Sequence, residues 1–124
     1  MDYGAFLTRI IEDGIAEVRE AYAGSEPRNV AKRAGAIEGF DACRGKTPAE
    51  IAALMQETTQ AASRLVGTDD IDGYWQVRYK ALQVEWVANC VSAVLMNQGH
   101  PPLASHLPTC RAAMKAAEVV GVKE

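Results

Sequence analysis

The sequence predicts an all-α fold, a bundle of about five helices wrapped around one long central helix at about residues 70–98, and three observations predict it. The stretch beginning DIDGYWQVRYKALQ and continuing VEWVANCVSAVLMNQ has no proline, and no glycine between Gly73 and Gly99. Shorter stretches on either side repeat apolar residues at three- and four-residue steps, the spacing of one helix face. Helix-starting prolines and helix-ending glycines punctuate the chain between them.

The long stretch would measure about 43 Å as a helix at 1.5 Å rise per residue. Trp75, Tyr79, Leu82, Trp86, Asn89, Ala93 and Met96 recur along one of its faces at alternating four- and three-residue steps. Val77, Ala81, Val84, Ala88, Val91 and Leu95 line another. A helix apolar on two faces needs cover on both, so the expectation is a central rod sheathed by its neighbours, with a partner subunit over whatever they leave bare. Its polar exceptions are Arg78, Glu85, Asn89 and Ser92, on a narrow stripe. Two readings apply: a satisfied polar contact inside the core, since a buried Glu85 must be paired or hydrogen-bonded, or a binding pocket lined by Trp86, Glu85 and Asn89. Tyr74, Trp75 and Tyr79 form an aromatic cluster at the start of this helix, suited to a core first and an interface second.

From the N-terminus, a first helix is expected over residues 3–23, ending at Gly24, with Leu7, Ile10, Ile11, Ile15, Val18 and Tyr22 as its apolar stripe. Gly14 interrupts the pattern and predicts the close passage of another backbone. Ser25 as cap and Pro27 in the first turn open a second helix that stops at Gly45. Within it Ala31, Gly35, Gly39 and Cys43 repeat every four residues, a ridge without bulk. Such a ridge serves close packing within the chain or self-association with a second copy.

Thr47, Pro48 and Glu50 form a capping box, so a third helix starts there and runs to Gly67. Gly45 and Lys46 alone separate it from the second, which makes a tight helix-turn-helix corner. A DNA-reading corner needs basic and amide side chains on its second helix. TPAEIAALMQETTQ presents Glu50, Gln56, Glu57 and Gln60, with no base before Arg64. The cations Arg28, Lys32, Arg33, Arg44 and Lys46 cluster on and just after the second helix, diluted by Glu26, Glu38 and Asp41. Asp69, Asp70 and Asp72 before Gly73 fall short of a calcium loop, because Arg78 and Tyr79 stand where a bidentate acid belongs; helix capping explains these acids without a metal. After Gly99 a proline-rich crossing leads to a last helix through Ala113, Met114, Ala117 and Val120. His100, His106 and Cys110 match no metal-ligand spacing.

With 124 residues, 48% of them hydrophobic, the chain reads as a single helical domain over 1–124. A net charge of −3 with 23% charged residues argues against disorder and against a strongly basic nucleic-acid binder. The N-terminus lacks a secretory pattern, and the apolar run of residues 84–96 is too short to span a bilayer, so a cytoplasmic protein without a membrane partner is expected. Cys43, Cys90 and Cys110 are odd in number and widely spaced, as reduced, packed thiols would be.

The stretch YWQVRYKALQVEWVANCVSAVLMNQG, followed by a proline-rich crossing and RAAMKAAEVVGV, resembles small helical proteins of unknown function encoded in temperate phage and prophage regions. The resemblance covers about the last 50 residues and implies a phage or bacterial setting, in which a protein of this size acts by contact with a host or phage protein. It brings no catalytic residues. The sequence itself has no nucleophile elbow, phosphate-cradling glycine loop or zinc-protease motif, so neither catalytic residues nor a cofactor are expected. The leading reading is a non-catalytic protein-binding or assembly module, homo-oligomeric through the long helix or the small-residue stripe. The runner-up is a weak nucleic-acid-associated regulator using the basic second helix.

Overall fold

Local signals set where each helix begins. A computed structural model describes residues 3–99, which form four α-helices and no strand: α1 (Tyr3–Ala21), α2 (Pro27–Ala42), α3 (Pro48–Arg64) and α4 (Ile71–Asn97). At α3 the Glu50 amide donates to the Thr47 hydroxyl at 3.2 Å and the Thr47 amide to the Glu50 carboxylate at 3.0 Å, the reciprocal pair of a capping box. At α4 the Gly73 amide donates to the Asp70 carboxylate at 3.0 Å. The acids of this loop thus serve as helix caps. At α2 the expected Ser25 cap is displaced: Glu26 holds the cap position and makes no side-chain cap bond. Pro27 at the first helical position puts the serine hydroxyl one residue too early to reach the free amides. Gly45, with φ +66°, turns the chain from α2 into the corner before α3, a left-handed conformation costly for other residues.

The glycines of α2 determine how the helices assemble. A β-carbon on Gly39 would lie 2.5 Å from the Lys80 carbonyl oxygen, and one on Gly35 would collide with the carbonyl of Gln76. The ridge Ala31, Gly35, Gly39 and Cys43 is buried throughout, so α2 lies on the α4 backbone itself. That contact consumes the ridge. The stripe therefore offers no face for self-association, in correction of that expectation. Gly14 is likewise tight, though against the ring of Phe40 rather than a passing backbone.

Helix α4 packs against α1, α2 and α3, and α1 also packs against α2. The core fills the space between with Leu7, Ile11, Ile15 and Val18 of α1, Phe40 of α2, Ile51 of α3, and Val84, Val87 and Val91 of α4. Thr58, buried within α3, is satisfied by donating to the Leu54 carbonyl at 2.9 Å. The Tyr3 hydroxyl donates to the Lys46 carbonyl at 2.7 Å and fastens the start of α1 to the α2–α3 corner. No helix among the described residues is long and apolar enough to cross a membrane. The last helix expected from the sequence, and His100, His106 and Cys110, lie outside the described residues.

Candidate functional site

Of the two apolar faces of α4, one is core and the other is bare over residues 82–96, while Trp75 and Tyr79 near its start are half-buried. Successive residues turn about 100° around a helix, which sets Trp75, Leu82, Trp86 and Ala93 opposite Ala81, Val84, Ala88 and Val91. The second group is buried. On the first, Leu82 is 38%, Trp86 44% and Met96 46% exposed, and Asn89 and Ala93 are exposed with them. The expectation that neighbouring helices sheathe both faces is thus corrected for residues 82–96. The bare residues keep the alternating four- and three-residue spacing that holds a seam straight along a helix, the spacing of coiled-coil contact positions.

The helices beside this seam divide the residues expected to share a polar core or pocket. Toward α3, Arg78, Leu82 and Glu85 border a cleft of about 170 Å³ with Thr59, Ser63 and Val66. Toward α1, Trp86 borders a separate cleft of about 210 Å³ with Gly14, Val18, Tyr22, Phe40 and Gln83, and its ring meets Phe40 edge-on at 5.9 Å. Asn89 lies on the seam in solvent, and Ser92 is half-buried. Arg78 and Glu85 are exposed as well, and neither has an ion-pair partner among the described residues. Arg78, Glu85, Trp86, Asn89 and Ser92 therefore form neither a buried polar contact nor one shared pocket. Solvent already satisfies Glu85, so nothing requires a partner for it inside the fold.

At the start of α4 the structure gathers a cluster that the sequence showed only in parts. The Tyr79 ring meets Tyr22 edge-on at 5.4 Å and Trp75 at 6.0 Å, and Trp75 meets Tyr74 at 5.4 Å. Lys32 places its ammonium 4.7 Å from the Trp75 centroid and 5.3 Å from that of Tyr79, with the Arg28 guanidinium 5.6 Å from Trp75. Each such cation over a ring is worth about 0.5–1 kcal/mol at an exposed site. A hydrogen bond with Tyr79, helped by burial, raises the Tyr22 phenol above its ordinary value, with Lys32 acting the other way. The four-residue step from Arg28 to Lys32 on one helix face was the sequence signal for this cluster.

Two of the remaining cations, Arg33 and Arg44, are tied into the fold by their side chains. Arg33 donates to the carbonyls of Tyr22 at 2.8 Å and Gly24 at 3.1 Å, closing the α1–α2 connection. Arg44 pairs with Glu12 at 2.6 Å and Asp41 at 2.8 Å. Lys46 supplies the carbonyl that receives Tyr3. Arg33 and Arg44 thus spend their side chains on contacts within the chain, while Arg28 and Lys32 lie over aromatic rings.

The two described thiols are both shielded. Cys43 is fully buried, and burial pushes its thiol up to about 11; Cys90 is half-buried and raised for the same reason. Both stay neutral near pH 7, the form that does not attack. Among the described residues no three His, Cys, Asp or Glu side chains gather as a metal cluster. Compared with family models, curated proteins and solved structures, the chain matches none.

Proposed function

We propose that this chain is a non-catalytic helical module that works by protein contact, and that its contact surface is the bare seam of α4, used first for assembly with a second copy of itself. The observation that carries the reading is the run Leu82, Trp86 and Met96, three large apolar side chains left 38–46% exposed in line on one helix. Burying a side chain of this kind contributes about 1.5–3 kcal/mol when complete, and a partner helix is the shape that covers such a row. Aromatic residues and methionine are also the types that concentrate where proteins meet.

A bacterial or phage setting and a cytoplasmic location belong to the same reading. So does a fifth helix beyond α4. The likeness of the C-terminal stretch to phage-encoded helical proteins supports a role exercised on a protein, with a host or phage partner as the second user of the seam. Static light scattering on the eluting peak of a gel-filtration column tests it. The wild-type chain should elute at twice its 13.4 kDa mass, and Leu82→Glu should elute as a folded monomer. A dimer that survives Leu82→Glu and Trp86→Glu together would exclude the seam as the contact surface.

A further inference from the structure

A bare helix face and an amphipathic segment lie close together along this chain, joined by a short tether. The face is the run on α4. From Leu82 to Met96 it measures about 21 Å at 1.5 Å per residue, and Met96 lies three residues before Gly99, where the backbone turns out of α4 at φ +81°. The other large apolar residues in solvent, Val30, Val66 and Ile71, make no such row: one stands on α2 and two flank the α3–α4 connection. The segment is residues 109–120. At 100° per residue its Ala113, Met114, Ala117 and Val120 fall within about 120° of one another, while its only charges, Arg111, Lys115 and Glu118, gather within about 60° on the opposite side. As a helix the segment would measure about 18 Å, close to the length of the bare run.

Resting on the reading of the seam as the contact surface, we propose that residues 109–120 fold back as an amphipathic helix on Leu82, Trp86 and Met96 of the same chain, and that this cover competes with a second copy for the seam. Reach permits it. Residues 100–108, nine in all, extend to about 30 Å, whereas the axes of packed helices stand only about 8–10 Å apart. Direction follows from the exit. The chain leaves α4 beside Met96, so the segment returns antiparallel, from Met96 toward Leu82, and Pro101, Pro102 and Pro108 keep the crossing from continuing α4. Size fits as well: Ala113 and Ala117, at the middle of the segment's apolar face, leave room for the bulky Trp86 ring, with Met114 and Val120 on either side. The start of α4 needs no such cover, because Trp75 and Tyr79 already lie under Lys32, with Tyr22 against Tyr79. Tethering sets the balance. A short linker holds its segment at an effective concentration on the order of millimolar, so a second copy at micromolar concentration wins the seam only by making better contacts.

Trp86 fluorescence and sedimentation equilibrium, both on the full chain, test the docking and the competition separately. Met114→Glu and Val120→Glu together set charge against the apolar run and should release the segment. In a Trp75→Phe background diluted below the dimer constant, Trp86 should then become about twofold or more easier to quench with acrylamide, as its ring passes from covered to 44% exposed. At higher concentration the same double variant should dimerise about tenfold more tightly than the wild type, because the internal competitor is gone. Lys115→Glu, on the charged face, should change neither reading. Quenching that the double variant leaves unchanged, or that Lys115→Glu raises equally, overturns the docking, while loss of the dimer in Leu82→Glu still upholds the seam as contact surface. A double variant that exposes Trp86 but dimerises more weakly makes the segment part of the dimer contact and overturns the competition. A chain that stays monomeric in every variant up to millimolar concentration overturns the self-assembly reading and the competition with it, and the quenching then decides the docking alone.

Discussion

A β-carbon at Gly35 would occupy the space of the Gln76 carbonyl, and the helix backbone on the far side has no room to retreat. Gly35→Ala gains up to about 1 kcal/mol of helix propensity. Overpacking against backbone costs about 1–3 kcal/mol and more where nothing yields. The net expectation is a loss of about 2 kcal/mol, seen as a fall in melting temperature. Gly14→Ala should lose less, because the atoms it meets belong to the Phe40 side chain. Titration at two residues makes a separate prediction. Burial raises the Cys43 thiol from 9.0 to about 11 and the Tyr3 phenol from 10.0 to about 12, the latter helped by Cys43 and Glu50. Both groups hold their protons longer in the native state than in the unfolded one. Their contribution is whole below about pH 9 and disappears as the pH rises toward 12. The melting temperature should therefore decline above pH 9. Tyr3→Phe should shallow that decline, while losing about 1 kcal/mol at neutral pH with the bond to Lys46.

Among the elements, α3 has the strongest start. Thr47→Ala removes the acceptor for the Glu50 amide and should cost about 1 kcal/mol in a thermal or urea melt. The Thr47 amide holds the Glu50 carboxyl below its ordinary 4.5, so that bond stabilises above pH 4.5 and is lost as the pH falls through the lowered value. Glu50→Gln should accordingly melt with less acid sensitivity between pH 5 and 3 than the wild type. This cap could be read directly from Thr47, Pro48 and Glu50, because all its partners lie within four residues. The choice of buried face on α4 could not be. Two apolar faces with the same spacing are equivalent in one dimension, and what separates them is distant: Gly35 and Gly39 admit only backbone, so α2 seats on Gln76 and Lys80 and turns Val84 and Val87 inward. Trp86 is thereby left outward. Glu85 and Asn89 look embedded in the sequence because their chain neighbours are apolar, but those neighbours point about 100° away on a helix. The aromatic cluster with Lys32 and Arg28 is likewise visible there only as separate pieces on two helices.

For the whole molecule, the proposed self-assembly would share one equilibrium with folding. A dimer that forms only from native chains raises the melting temperature by mass action, so wild-type melting should climb with protein concentration and that of Leu82→Glu should not.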